Sequence, residues 1–184
     1  MNYIFFIVIL FTSFVFNSRT CDNLNNHLIN SISIVQRPNL DYHLLSPSGH
    51  FMIHYNNYYD GIDEYALNVA LAADLSRTII VDTLNFIPEV SDDDGIYDIY
   101  IKQLQNGDYG KNNLEDSQLG TSYVEIDDDF IGSQYATQGE DAMKIAVAHE
   151  YFHAIQRAYI PQPLSNAFFY ELSSIWIEDI IYPD

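Results

Sequence analysis

The strongest limit on the fold of this 184-residue chain comes from residues 139–159, which follow the three-to-four spacing of a helix with a buried apolar side. The apolar positions of this stretch include Met143, Ala146, Val147, Ala154 and Ile155. Between them the sequence reads His149-Glu150-Tyr151-Phe152-His153, so two imidazoles stand four residues apart. That spacing brings both rings to one face of a helix, one turn apart. The residues therefore predict a long, largely buried helix with two neighbouring histidines.

Two neutral imidazoles at this separation can bind one metal ion, and zinc accepts such nitrogen ligands at about 2.0–2.1 Å. Glu150 follows the first histidine and points slightly around the helix, where it can take a proton from water without binding the metal. This pattern is typical of the active site of a zinc-dependent metallopeptidase. The alternative is an ordinary helix whose two histidines lie at the surface or are satisfied within the core.

A zinc ion held by two histidines needs a third protein ligand, which we expect from a later element. Pro161 and Pro163 end the first helix, and the following residues predict a second helix from about residue 168 to residue 181. This helix carries Glu171 and Glu178, seven residues apart and hence on nearly the same face. We prefer Glu171 as the ligand and expect Glu178 to hydrogen-bond a ligand histidine; the opposite assignment stays open.

The rest of the chain predicts a mixed α+β domain. Helical spacing continues from Asp63 to about Val81. Alternation of apolar and polar residues predicts three strands, at residues 49–55, 97–104 and 123–126. Turn-forming residues predict loops at 85–95 and 106–120. We therefore expect a small mixed sheet that packs on the helix with the two histidines.

The N-terminus is a segment of a different kind. Residues 3–16 are almost entirely apolar and carry no charge, and as a helix they would cover about 21 Å, less than the ~30 Å hydrocarbon core of a membrane. Their length is typical of a secretory signal, although no basic residue precedes them, and a retained membrane anchor is the alternative. The prediction is a secreted protein without a stable membrane span after signal removal. Its parts are a signal peptide (1–20), a polar spacer (21–47) and a folded domain (48–184).

Composition limits the partners of this chain. It has 26 acidic and 7 basic residues and a net charge of −19, and such a surface repels the phosphate backbone of nucleic acids. With 48% hydrophobic residues the chain is far too apolar for a disordered protein. A single cysteine, Cys21, excludes an intrachain disulfide. We therefore expect a folded protein that does not bind nucleic acid, and the metallopeptidase pattern predicts a peptide or protein as its substrate.

Two clusters of acidic residues are candidates for calcium, which prefers several oxygen ligands. One cluster comprises Asp92, Asp93, Asp94 and Asp98, and the other comprises Asp127, Asp128 and Asp129. Neither has the spacing of an EF-hand, and the alternative is a pair of solvated acidic loops.

The motifs of the two C-terminal helices resemble those of a known family. A His-Glu-x-x-His helix with a separate helical glutamate is similar to the gluzincin branch of the zincin metallopeptidases. No histidine follows His153, which excludes the metzincin branch. Within the gluzincins, the chain resembles secreted bacterial metalloproteases with the motifs His-Glu-Phe-Phe-His-Ala-Ile-Gln and Glu-x-x-x-x-Trp-x-Glu-Asp, read here at 149–156 and 171–179. With the strand motifs at 51–55, 97–101 and 122–127, the resemblance covers about residues 48–184.

The resemblance implies a zincin-like fold and a peptide-hydrolysing activity. It implies that His149, His153 and Glu171 hold zinc, and that Glu150 takes a proton from the attacking water and passes it to the leaving amine. Zincins bind extended substrates along an edge strand near the active-site helix. The strand that precedes this helix is the candidate, with an ordinary edge strand as the alternative. Its residues are Tyr123, Val124, Glu125, Ile126 and Asp127.

Proteins of this group usually continue well beyond the second motif helix. We therefore expect this chain to lack a complete C-terminal subdomain, the usual source of the residue that stabilises the oxyanion. An incomplete zincin also suggests an alternative function, a secreted or surface module that binds zinc without turnover.

Overall fold

The computed structural model describes residues 36–161 and 167–183. The predicted signal peptide, residues 1–20, and most of the predicted spacer lie outside the described residues. Within the described ranges, no helix combines the length and the hydropathy that a membrane crossing requires.

The described residues form the mixed α+β domain that the sequence predicts. Five strands are present: β1 (Tyr42–Leu45), β2 (Phe51–Tyr55), β3 (Tyr97–Lys102), β4 (Gly110–Leu114) and β5 (Ser122–Asp127). Three α-helices accompany them: α1 (Ile62–Arg77), α2 (Gly139–Tyr159) and α3 (Ala167–Ile181). The predicted helix from Asp63 to about Val81 corresponds to α1 and a π-helical segment, Thr78–Thr83, that continues it.

The strands form one mixed sheet in the order β1-β2-β3-β5-β4. β2, β3 and β5 run parallel to one another, with Ile53 beside Ile99 and Ile99 beside Val124. The two outer strands, β1 and β4, each run antiparallel to their neighbour.

The core lies between one face of this sheet and the helices α1 and α2. Alternation along β2 is visible in its burial, since Phe51, Ile53 and Tyr55 are buried while the residues between them are only partly so. Phe51 meets the ring of Tyr151 on α2 edge-on, with ring centroids 5.2 Å apart. Small residues of α1, such as Ala66, are fully buried, which lets α1 and α2 approach closely. The helix that carries the two histidines, α2, is therefore fixed on the sheet by apolar packing.

Two strands lie where the sequence analysis predicts none. β1 lies within the predicted spacer 21–47, and β4 lies within the predicted loop 106–120. Tyr42 and Leu45 of β1 are about half exposed, and β4 reads Gly-Lys-Asn-Asn-Leu. Neither strand shows a regular apolar alternation, so the sequence pattern does not reveal it. Each becomes a strand through its backbone pairing with a neighbouring strand.

The prediction of an edge strand at Tyr123–Asp127 is wrong. These residues belong to β5, which pairs with β3 along one side and with β4 along the other. Both backbone edges of β5 are therefore used within the sheet. The edge strand that contacts α2 is β4, which the sequence analysis places in a loop.

Candidate metal centre

The two histidines of α2 lie inside the protein, one helical turn apart. His149 is 6% exposed and His153 is 0% exposed. Their ring centroids are 4.8 Å apart and the ring planes are nearly perpendicular, at 86°. A pair of surface histidines is therefore not what the structure contains.

Glu171 of α3 faces both histidines. Its Oε2 lies 3.2 Å from His149 Nε2, and its Oε1 lies 3.6 Å from His153 Nε2. One ligand atom from each of the three residues lies within 4.8 Å of the other two. The structure thus brings together the three residues that the sequence predicts as metal ligands, because α3 packs against α2.

The Nδ1 atom of each histidine has its own partner on the opposite side of the ring. His149 Nδ1 donates to Glu178 Oε1 at 2.6 Å, and His153 Nδ1 donates to Gln156 Oε1 at 2.7 Å. The hydroxyl of Ser174 lies 3.2 Å from His153 Nδ1. With the proton on Nδ1, each ring directs the lone pair of Nε2 towards Glu171. This arrangement favours Glu171 over Glu178 as the third ligand.

The orientation of the Gln156 amide supports this protonation state of His153. Its Nε2 donates to the carbonyl oxygen of Tyr170 and to Ser173 Oγ, both at 2.8 Å. The amide oxygen is thereby turned towards His153 Nδ1, which must act as the donor. His153 Nε2 consequently carries a lone pair, is shielded from solvent and has no hydrogen-bond partner in the structure.

Tyr170 packs flat against the second histidine. The ring centroids of Tyr170 and His153 are 4.3 Å apart and the planes are within 3° of parallel. The phenol donates to the carbonyl oxygen of His153 at 3.3 Å. Burial raises the pKa of Tyr170, so the phenol stays neutral and keeps its proton for this hydrogen bond. Tyr170 therefore holds the His153 ring in its orientation.

Charge at the site also favours a cation. Burial raises the pKa of Glu171, but the neighbouring His149 and His153 outweigh burial and lower the pKa to about 2. Glu171 is therefore ionised at neutral pH. Glu171 Oε1, like His153 Nε2, is buried without a hydrogen-bond partner. Two nitrogen lone pairs and one carboxylate form a donor set that suits zinc.

The side chain of Glu150 extends from α2 towards the edge strand β4. It is 1% exposed, and a Cβ added at Gly110 would lie 2.7 Å from Glu150 Cγ, closer than such atoms approach. The side chain of Asn112 donates to the backbone carbonyl of Glu150 at 3.3 Å, and buried Arg157 donates to the Asn112 side chain. These contacts fix the distance between the edge strand and the helix at the position of Glu150.

Several residues of the site escape the sequence analysis. No sequence motif marks Gly110, Asn112 or Arg157. Their contacts arise only where β4 packs against α2, and Asn112 and Arg157 are 45 residues apart in the sequence. Tyr170 could have been noticed as the residue before Glu171, but nothing in the sequence indicates its stacking. Glu178 is placed beside His149, in the supporting role that the sequence analysis prefers for it.

The two acidic clusters differ in the structure. Asp92 and Asp98 of the first cluster form ion pairs with Arg37, and Asp98 also contacts His54 Nε2 at 2.6 Å. A guanidinium thus supplies positive charge to that cluster. The second cluster, Asp127 to Asp129, brings one oxygen from each carboxylate within 4.8 Å of the other two.

Comparisons with known proteins leave the chemistry to be argued from these residues. No family model, no curated protein and no solved structure matches this chain.

Proposed function

We propose that this protein is a zinc-dependent metallopeptidase with Glu150 as its general base. One observation carries the proposal. The Nε2 atoms of His149 and His153 converge on the carboxylate of Glu171, while separate partners hold both Nδ1 atoms. A structural pair of histidines needs no such convergence of lone pairs on a partly buried, ionised carboxylate.

His149, His153 and Glu171 would hold the zinc ion. Zinc with three protein ligands acts as a Lewis acid that acidifies water and polarises a carbonyl group. Glu178 accepts a hydrogen bond from His149 Nδ1, which orients the ring and makes its Nε2 a stronger electron-pair donor to a metal. The ring of His153 is oriented by its hydrogen bond to Gln156 and by its stacking on Tyr170.

Glu150 is the residue to which we assign proton transfer. It follows His149 on α2 and is not one of the three grouped ligands. In the proposed reaction its carboxylate takes a proton from the attacking water and gives it to the leaving amine nitrogen. The close approach of its side chain to Gly110, beside the edge of the sheet, supports this assignment.

The outer edge of β4 is the proposed site for an extended peptide substrate. Backbone hydrogen bonds from Asp127 to Tyr109 and from Glu115 to Thr121 lie at the two ends of the β4–β5 ladder. Because such bonds alternate along an antiparallel pair, the N–H and C=O groups of the intervening even-numbered residues, 110, 112 and 114, point away from β5. The carbonyl of Asn112 already accepts a hydrogen bond from Arg157 at 3.3 Å, so the groups offered to a substrate are those of residues 110 and 114. A peptide can add to this edge as a further strand.

The experiment compares the parent protein with Glu150→Gln and with a control, Glu140→Gln. Glu140 lies in the first turn of the same helix and pairs with Lys144 at the surface. For each protein, zinc content and hydrolysis of an unstructured protein substrate are measured, with and without a chelator. We expect one zinc per chain in all three proteins. Activity should fall by about 10²-fold or more in Glu150→Gln and stay unchanged in Glu140→Gln.

The same measurements define the results that would contradict the proposal. Activity that survives both the chelator and Glu150→Gln would rule out this site as the catalytic centre. Stoichiometric zinc with no hydrolysis by the parent protein would instead support the alternative, a module that binds zinc without turnover.

A further inference from the structure

A second group of potential ligands lies at the turn that follows β5. Asp127, Asp128 and Asp129 each contribute one carboxylate oxygen to a group whose members lie within 4.8 Å of one another. Asp127 and Asp128 are almost fully buried, with 3% and 4% of their surface exposed. A solvated acidic loop, the ordinary reason for such a run, does not bury two neighbouring carboxylates.

One carboxylate oxygen of Asp128 is buried without a group in the described part of the chain that compensates its charge. Its Oδ2 is shielded from solvent and has no hydrogen-bond partner in the structure. An unpaired, buried carboxylate oxygen is strongly unfavourable unless a positive charge or a proton compensates it. Burial, followed by the charges of Asp127 and Asp129, raises the pKa of Asp128 against an opposing hydrogen bond from Gln103.

Lys102 stands beside Asp127 in the strand register, but its Nζ forms an ion pair with Glu125 at 3.0 Å. Among the described residues, no ion pair joins Asp127, Asp128 or Asp129 to a lysine, arginine or histidine. Their surroundings are instead phenolic, since Tyr59 donates to the backbone carbonyl of Asp128 and Tyr65 to that of Asp127, each at 2.7 Å. This contrasts with the cluster at Asp92 and Asp98, which Arg37 neutralises.

We propose that Asp127, Asp128 and Asp129 bind a calcium ion. The available donors are all oxygen atoms, which suit calcium and magnesium but not zinc. Magnesium is usually bound through only one or two carboxylates, whereas calcium takes six to eight oxygen ligands in a flexible geometry. A group of three neighbouring carboxylates therefore fits calcium better.

Calcium at this position would stabilise the path from the sheet to α2. Asp127 already accepts hydrogen bonds from the backbone N–H groups of Leu104 and Phe130, and Phe130 has a left-handed backbone with φ 52°. The carbonyl of Phe130 in turn accepts from Gly139, the first residue of α2. The cation would thus fix the segment that leads into the helix of the candidate metal centre. This inference does not depend on the proposed peptidase activity.

The test measures the thermal midpoint of the zinc-loaded full chain with and without about 1 mM Ca²⁺, the range of extracellular calcium modules. The parent protein is compared with Asp128→Asn and with a control, Asp93→Asn, which changes an exposed residue of the other acidic cluster. We expect calcium to raise the midpoint of the parent and of Asp93→Asn by about 5 °C or more. Asp128→Asn should lose most of that rise, and Mg²⁺ should give a smaller one than Ca²⁺.

A parent protein with no calcium-dependent rise would overturn the inference, since Asp128 would then hold a proton in place of a cation. An equal rise in Asp128→Asn would overturn it as well. If Asp128→Asn does not fold, Asp129→Asn replaces it, because that side chain is only partly buried. A second readout is Tb³⁺ luminescence sensitised by Tyr59 and Tyr65, which Ca²⁺ should suppress by competition. Zinc content, measured in parallel, shows that the other site is unchanged.

Discussion

At the residue scale, the candidate metal centre depends on which nitrogen of each histidine carries the proton. Glu178 and Gln156 accept from the two Nδ1 atoms, and this leaves both Nε2 atoms for a metal shared with Glu171. Spacing in the sequence is enough to place the two histidines on one helical face, because four residues make about one helical turn. The choice between Glu171 and Glu178 is different, since it depends on how α3 is rotated against α2.

Substituting the two glutamates separates their roles. We expect Glu178→Gln to weaken zinc binding by about 10–100-fold, because the amide still accepts from His149 but without its charge. Glu171→Gln should weaken binding by more than about 100-fold, because a ligand is lost. Zinc affinity is measured by competition with a coloured chelator. Asp179→Asn, an exposed neighbour on α3, serves as the control. A larger effect for Glu178 than for Glu171 would reverse the ligand assignment.

At the level of helices and strands, the edge strand β4 forms the side of the candidate site that faces Glu150. Helices α2 and α3 are predictable because their apolar spacing and motifs lie within their own residues. β4 is not predictable in this way, since Asn112 and Arg157 meet only after the sheet and α2 have packed together. The incorrect choice of β5 as the edge strand follows from this, because a strand hidden in an apparent loop makes its neighbour appear to be the last one.

Gly110→Ala tests the close approach of β4 to α2. The added methyl would lie 2.7 Å from Glu150 Cγ and 3.0 Å from the backbone oxygen of Glu125, so Glu150 or the strand must move. We expect a loss of stability of about 1–3 kcal/mol and at least about a tenfold fall in peptidase activity, with zinc content unchanged. Denaturant unfolding and substrate hydrolysis measure the two effects. Lys111→Ala, the next residue of the same strand, should leave both nearly unchanged; equal losses in both variants would contradict this reading of Gly110.

At the scale of the whole molecule, a metal ion would join two helices that are otherwise unequally attached. α2 is buried on the sheet, whereas α3 buries only part of its surface. The exposed apolar residues of α3 are Phe168, Phe169, Leu172, Ile175, Trp176 and Ile180. Because ligands from both helices would share one zinc ion, part of the stability of α3 should come from metal binding.

Zinc removal should therefore loosen α3 more than the rest of the domain. We expect amide hydrogen exchange in α3 (Ala167–Ile181) to become at least about tenfold faster after chelation. Exchange in α1 (Ile62–Arg77), which carries none of the three ligands, should change little. Exchange that accelerates equally in both helices would show that the metal stabilises the fold globally, and unchanged exchange in α3 would show that no metal joins the two helices.

The most direct measurement is a crystal structure of the zinc-loaded protein with anomalous scattering recorded at the zinc edge. The expected result is one strong peak at about 2.0–2.2 Å from the Nε2 atoms of His149 and His153 and from a carboxylate oxygen of Glu171. Glu178 should remain on the Nδ1 side of His149. A peak elsewhere, or one at these histidines with Glu171 turned away, would contradict the central claim.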